Sequence, residues 1–172
     1  MKNQYRKAME GLYIACIALS GLALVAITLI IPSGVFMRYV VNSPLQWPEP
    51  ASVIMMVFFS FVGGAAVYRA NAQIAVEALL RAVPARVGRA MYWGVQACML
   101  AIAAFMLGYG VILCRTTWGN TMAEFPSLSV GIVYMPIPVG GLLTLLFIVE
   151  KIWLGSPPRS DVMYSDEPAA VE

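Results

Sequence analysis

Residues 49–69 read EPASVIMMVFFSFVGGAAVYR, and this stretch decides the fold. Between Glu49 and Arg69 lie 19 residues that carry no ionisable charge and are rich in methionine, phenylalanine and valine. At a rise of about 1.5 Å per residue, a helix of that length is about 28 Å long, close to the hydrocarbon thickness of a bilayer. The sequence therefore predicts a membrane-spanning helix with one charged residue at each end.

Three other parts of the chain contain charge-free runs long enough to span a membrane. The composition agrees, since 60% of the residues are hydrophobic, 12% are charged and the mean hydropathy is +0.78. The alternation of a transmembrane β-barrel, in segments of about ten residues, is absent. We predict an all-α integral membrane protein with four transmembrane helices, at about residues 11–31, 50–68, 90–114 and 129–153.

These spans form one membrane domain, residues 11–154, between an N-terminal tail at 1–10 and a flexible C-terminal tail at 155–172. The first apolar run is longer than the core of a signal peptide, so we expect it to be retained. Pro32-Ser33-Gly34 is expected to disrupt it, with residues 35–41 adding a further helical turn at the membrane interface. The second span is expected to begin near Trp47–Pro50, and Trp47 suits the aromatic belt.

The connection after Arg69 carries a polar stripe at helical spacing, formed by Gln73, Glu77 and Arg81. Leu79 and Leu80 belong to the apolar remainder of the same segment. This pattern is typical of an amphipathic helix that lies in the membrane surface. We predict such an interfacial helix at about residues 71–83.

The basic residues predict the orientation. Nine of the 11 lysines and arginines lie in the N-terminal tail, the connection at 69–89 and the region after residue 150. The other two, Arg38 and Arg115, lie in the remaining connections. Because basic residues accumulate on the cytoplasmic side, both termini are expected to be cytoplasmic.

Several classes of chemistry lack the residues that they need. The chain has no histidine and no Cys-x-x-Cys motif, which excludes bis-histidine haem and a catalytic serine–histidine–aspartate triad and argues against a thiol oxidoreductase. No ionisable residue is expected deep in any span, whereas ion and proton relays usually contain one. We therefore expect no catalytic residue, cofactor, metal site or nucleic-acid partner.

Small residues and prolines allow two interpretations. Pro136, Pro138, Gly140 and Gly141 interrupt the fourth run, and a broken helix can offer free carbonyls to a substrate or a sodium ion. Alternatively, they bend the helix and let a neighbour approach closely, which is the interpretation that we favour. The pair Gly63-Gly64 is interpreted in the same way, and Ser60, Gln96 and Thr144 are expected to form hydrogen bonds between helices.

A series of short motifs occurs in a fixed order along the chain: RYVVNSP at 38–44 followed by Trp47 and Glu49, FVGGAA at 61–66, YR at 68–69, QIAVE at 73–77, Trp118, PSLSVG at 126–131 and YMPIPVGG at 134–141. Together they resemble the small membrane subunit of tripartite ATP-independent periplasmic (TRAP) transporters, the DctQ-type small permease. The resemblance covers about residues 35–154. Two departures are that Pro50 follows Glu49, where the family often has a second acidic residue, and that Gln73 stands where a histidine is frequent.

The resemblance implies a multi-pass subunit of the bacterial inner membrane that is not an enzyme. It implies partnership with a large multi-span permease, which carries the substrate and sodium sites, and with a periplasmic substrate-binding protein. The small subunit would act as a scaffold for uptake of organic acids driven by an ion gradient. Candidate contacts with the large permease are Arg38, Trp47, Glu49, Gly63, Gly64, Pro136, Pro138, Gly140 and Gly141.

Two other functions remain open at this stage. One is a membrane-anchor subunit of an oxidoreductase complex, which the lack of histidine argues against. The other is an autonomous four-helix exporter, which would need a carboxylate inside the membrane.

Overall fold

The computed structural model describes residues 2–43, 45–70 and 85–154, and most of these residues are helical. The helices are α1 (Lys2–Tyr39), α2 (Pro48–Arg69), α3 (Ala85–Thr116), α4 (Val130–Tyr134) and α5 (Pro136–Leu154). Four stretches are long and apolar enough to cross a membrane: Gln4–Tyr39, Pro48–Arg69, Val87–Thr116 and Val130–Trp153. Within the described ranges there is no strand, so the predicted all-α architecture with four spanning helices is confirmed. The predicted interfacial helix at 71–83 and the C-terminal tail lie outside these ranges.

Successive long helices run in opposite directions, so each end of the bundle gathers parts of all of them. At one end, which we call the Arg69 end, Tyr5 of α1 stacks edge-on against Trp153 of α5, with ring centroids 6.2 Å apart. The opposite end, which we call the Trp118 end, holds the turn between α1 and α2 and the connection from α3 to α4. Asn42 lies in the first of these, with the positive φ of 55° that asparagine tolerates.

The first helix is longer than the sequence predicted. Pro32 does not end it, because α1 continues to Tyr39 without a break. The expected disruption at Pro32-Ser33-Gly34 is therefore wrong. Two hydroxyl groups near the proline donate to backbone carbonyls of the preceding turns, from Thr28 to Leu24 at 2.9 Å and from Ser33 to Ile30 at 2.7 Å. Pro32 lacks the amide hydrogen that would bond to the carbonyl of Thr28, a loss of one backbone bond that membrane helices tolerate.

The long helices pack side by side in the order α1, α2, α5, α3. Helix α5 takes a central position because two consecutive glycines face its two neighbours. A Cβ atom on Gly140 would lie 2.8 Å from the Cβ of Phe61 in α2, and one on Gly141 would lie 2.9 Å from the backbone nitrogen of Leu107 in α3. Only hydrogen fits at these positions, so the sequence Gly-Gly lets three helix backbones approach closely.

The fourth span consists of two helices. Met135 separates α4 from α5, and Pro136 cannot donate a backbone hydrogen bond there. At the start of α4, the hydroxyl of Ser129 accepts a hydrogen bond from the amide of Gly131 at 3.2 Å, as an N-cap does. The first proline of the Pro-x-Pro-x-Gly-Gly motif thus coincides with the junction of α4 and α5.

Candidate functional site

A buried ion pair joins the second and fourth spans at the Arg69 end. Nε of Arg69, the last residue of α2, is 2.8 Å from Oε2 of Glu150, and its second terminal nitrogen is 2.9 Å from Oε1. The relative exposures of Arg69 and Glu150 are 7% and 2%. Both carboxylate oxygens are therefore occupied by one guanidinium, in the two-pronged geometry that best offsets the loss of water.

Aromatic rings enclose the arginine. Its guanidinium carbon is 4.9 Å from the ring centroid of Tyr13 in α1 and 5.6 Å from that of Phe147 in α5. Tyr13 and Phe147 are each 1% exposed, so the rings shield the ion pair from solvent. A cation over an aromatic face is attracted to it, and this attraction connects α1 to the pair that holds α2 and α5 together.

A second polar cluster connects α2 with α3. The hydroxyl of Tyr68 donates a hydrogen bond to Oε1 of Gln96, and Nε2 of Gln96 donates to the hydroxyl of Tyr92 at 3.1 Å. The ammonium group of Lys151 in α5 lies 5.1 Å from the ring centroid of Tyr68 and 5.8 Å from that of Tyr92. The two clusters together contact all four spans, so the Arg69 end is the polar, firmly held end of the bundle.

Of the three side chains expected to bond between helices, Gln96 does so. The hydroxyl of Thr144 instead donates to the carbonyl of Gly140 within its own helix, at 2.8 Å, and that of Ser60 is exposed. The Arg69–Glu150 pair was missed, because both residues were assigned to the charged flanks of their spans. A signal was present: α2 and α5 run in the same direction, and each carries one of two opposite charges at its end.

The predicted partner contacts fall into two groups in the structure. Exposed residues form the first: Arg38 at the end of α1, Trp47 before α2, Glu49 in the first turn of α2 and Gly64 on its outer side. No atom would lie within 4 Å of a Cβ on Gly64, leaving aside its own helix backbone and chain neighbours.

The second group lies inside the bundle. Pro136, Pro138, Gly140 and Gly141 are buried, and a Cβ on Gly63 would lie 3.3 Å from the hydroxyl of Ser20. The positions of these residues agree with the close-packing interpretation. The predicted interfacial residues lie outside the described ranges: Gln73, Glu77, Leu79, Leu80 and Arg81.

The arrangement favours a structural element over a reaction centre. Within the described ranges, the two buried charged side chains are paired with each other, and the surrounding groups are aromatic rings and an amide. No group of three histidine, cysteine, aspartate or glutamate residues in the described ranges is arranged to hold a metal ion. What the geometry does well is to hold four membrane helices in a fixed relation.

Two comparisons with known proteins agree with this description. Residues 27–156 match the family described as tripartite ATP-independent periplasmic transporters, DctQ component. A protein of Haemophilus influenzae with the provisional name TRAP transporter small permease protein is 23% identical over 143 residues, which cover 83% of this chain and 86% of that protein. The family match extends over most of the 172 residues and includes α2, α3, α4 and α5 in full. The chain belongs to the family of DctQ components of tripartite ATP-independent periplasmic transporters.

Proposed function

We propose that this chain is the scaffold-forming small permease subunit of a TRAP transporter that takes up organic acids and is driven by a sodium gradient. In this proposal a large multi-span permease carries the substrate and sodium sites, and a periplasmic binding protein delivers the substrate. The chain resides in the bacterial inner membrane with both termini in the cytoplasm. The observation that carries the scaffold role is the enclosed Arg69–Glu150 pair, because it leaves neither charge open to a passing ion.

A scaffold must keep its own helices from moving while a partner moves against it. Three features support this here. The ion pair and the tyrosine–glutamine cluster join the spans at the Arg69 end. Close backbone contacts at Gly140 and Gly141 hold α5 between α2 and α3. At the Trp118 end, Gly34 of α1 approaches Pro48 of α2, since a Cβ on Gly34 would lie 3.0 Å from the proline side chain.

The contact with the large permease is proposed to involve the exposed group of predicted residues. Gly64 lies in α2 with open space beside it, where a partner helix can approach as closely as small residues allow. Arg38, Trp47 and Glu49 lie at the Trp118 end, at the level of the lipid headgroups, where polar contacts with a partner are favourable. The buried prolines and glycines support this surface from inside the bundle.

Replacing Gly64 tests the proposal. Gly64→Leu places a large side chain on the proposed contact, whereas Gly21→Leu places the same side chain on α1, where a Cβ also has no atom within 4 Å. The chain itself accommodates either change at its surface, so both variants should reach the membrane in normal amounts. We expect Gly64→Leu to reduce the amount of large permease that co-purifies, with a matching loss of sodium-dependent uptake. Equal co-purification of the large permease with both variants would exclude Gly64 from the contact.

The same co-purification experiment distinguishes the proposed TRAP subunit from the two alternative functions. An oxidoreductase anchor would co-purify with a redox subunit and its chromophore, and an autonomous exporter would transport without any second protein. The one carboxylate buried within the described part of the spans is that of Glu150, and Arg69 neutralises it. An exporter needs such a group free to bind and release an ion. Both the family and this pairing therefore favour the TRAP subunit.

A further inference from the structure

An apolar groove of about 410 Å³ lies at the Trp118 end between α3 and the interruption of the fourth span. It is lined by Val111, Cys114, Arg115, Trp118, Met135 and Pro138. Its walls come from three elements, namely α3, the turn that follows it, and the junction of α4 with α5. The groove therefore extends from Trp118, just beyond the end of α3, to Val111 within the last two turns of that helix.

The connection after α3 fixes the rim of the groove at the Trp118 end. The hydroxyl of Ser129 donates to the carbonyl of Trp118 at 2.7 Å. Gly131 lies directly against the indole, because a Cβ at this position would be 2.9 Å from a ring carbon of Trp118. The tryptophan is thus held at the rim although 54% of its surface is exposed.

A single cation marks one end of the groove. Arg115 lies in the last turn of α3, and in the described part of the chain its guanidinium has no carboxylate within 4 Å. Val111 lies one helical turn deeper, about 6 Å along the axis. A positive charge at the end of an apolar groove complements an anionic phospholipid, whose negative phosphate lies above its apolar acyl chains.

We propose that this groove binds an anionic phospholipid, with the phosphate at Arg115 and one acyl chain along Val111 and Pro138. The bilayer supplies such molecules at this level in the orientation required, and Trp118 suits the headgroup boundary. An anionic headgroup is favoured over a zwitterionic one, because one arginine near an anionic lipid contributes about 1 kcal/mol, which corresponds to about five-fold in affinity. The lipid thereby lies against Met135 and Pro138, on either side of the junction of α4 with α5.

Native mass spectrometry of the full chain in detergent micelles tests the charge. Phosphatidylglycerol, phosphatidylcholine with the same acyl chains, and water-soluble glycerol phosphate are titrated in parallel. We expect phosphatidylglycerol to bind about five-fold more tightly than phosphatidylcholine, and glycerol phosphate not to bind. Arg115→Gln should abolish the preference, whereas Arg38→Gln, a change at an exposed arginine of α1, should retain it. Equal losses in both variants, or binding of glycerol phosphate alone, would contradict the proposal.

The groove itself is tested by filling it. Val111→Phe places a ring where the acyl chain would lie, whereas Ile112→Phe adds the same ring on an adjacent exposed position outside the groove lining. We expect several-fold weaker phosphatidylglycerol binding in Val111→Phe and no change in Ile112→Phe. A photo-reactive residue at position 111 in intact cells should crosslink to lipid. Crosslinking to another protein chain in place of lipid would show that a subunit covers the groove, and would overturn the proposal.

Discussion

The guanidinium of Arg69 donates to both carboxylate oxygens of Glu150, across 81 residues of sequence. Removing one partner leaves a buried, uncompensated charge, which typically costs about 3–5 kcal/mol. We therefore expect Arg69→Met to lower the free energy of unfolding by about that amount. The methionine retains apolar contact with Tyr13 and Phe147, so the loss reports the charge rather than a cavity. Titration with sodium dodecyl sulfate in mixed micelles measures this free energy.

The double variant Arg69→Met/Glu150→Met separates pairing from packing. Without either charge, no unpaired ion remains, so the double variant should be more stable than either single variant. Arg38→Met serves as the control, because this arginine is exposed and the change should alter the unfolding free energy little. If the losses of the two single variants simply added in the double variant, the pair would not be a coupled unit.

The consecutive glycines of α5 give a second prediction. In Gly140→Ala, the new methyl group would lie 2.8 Å from the Cβ and 2.9 Å from the carbonyl oxygen of Phe61, so α2 and α5 must separate. We expect a loss of about 1–3 kcal/mol in the same titration, as for other overpacked interiors. Gly64→Ala is the matched control on α2, where a Cβ meets no atom within 4 Å and alanine favours the helix. A Gly140→Ala variant as stable as Gly64→Ala would refute the close approach.

The local sequence was sufficient to predict the spans but not to predict which spans lie beside each other. A charge-free run of about 20 residues has few alternatives to a membrane helix, because every backbone group must be bonded within the segment. The partner of Arg69, in contrast, depends on α5 lying beside α2, and the lateral order of helices leaves no local signal. The same holds for Gly140 and Gly141, whose roles differ only because each faces a different helix. The effect of Pro32 was misjudged because a proline inside a membrane helix removes one backbone bond without ending the helix.

Orientation is the third prediction. Arg69 is paired with Glu150. If Arg69 is left out of the count, the predicted cytoplasmic side still carries eight basic residues and the opposite side carries two. A reporter fused after Arg159 should therefore behave as cytoplasmic, and one fused near Asn120 as periplasmic. Alkaline phosphatase and green fluorescent protein fusions at the same two positions should give opposite signals. Cytoplasmic fluorescence from the fusion near Asn120 would reverse the proposed topology.

The fourth prediction concerns the interfacial helix proposed at residues 71–83. Gln73→Cys and Glu77→Cys should react readily with a water-soluble maleimide from the cytoplasmic side, because the polar stripe faces water. Leu79→Cys and Leu80→Cys should react slowly, since their side chains are proposed to lie among the lipids. Each variant is measured on a background without the native cysteines. Equal rates at all four positions would indicate an ordinary solvated loop.

The last prediction separates assembly from transport chemistry. Glu49 is exposed in the first turn of α2, where its carboxylate lies near the positive end of the helix dipole. It has no arginine or lysine nitrogen within 4 Å in the part of the chain that the structure describes. A sodium site would require several converging oxygen ligands, whereas a surface carboxylate suits a polar contact with another subunit.

We therefore expect Glu49→Gln to lower the amount of assembled complex while leaving the sodium dependence of uptake per complex unchanged. Uptake is measured at graded sodium concentrations and divided by the number of complexes, which is counted from co-purified large permease. Glu124→Gln is the matched control, because Glu124 is another exposed carboxylate at the Trp118 end and is not a proposed contact. A scaffold alters how many transporters exist and not how each one couples sodium to substrate. A changed sodium stoichiometry with assembly intact would therefore place Glu49 in the transport machinery and contradict the scaffold role.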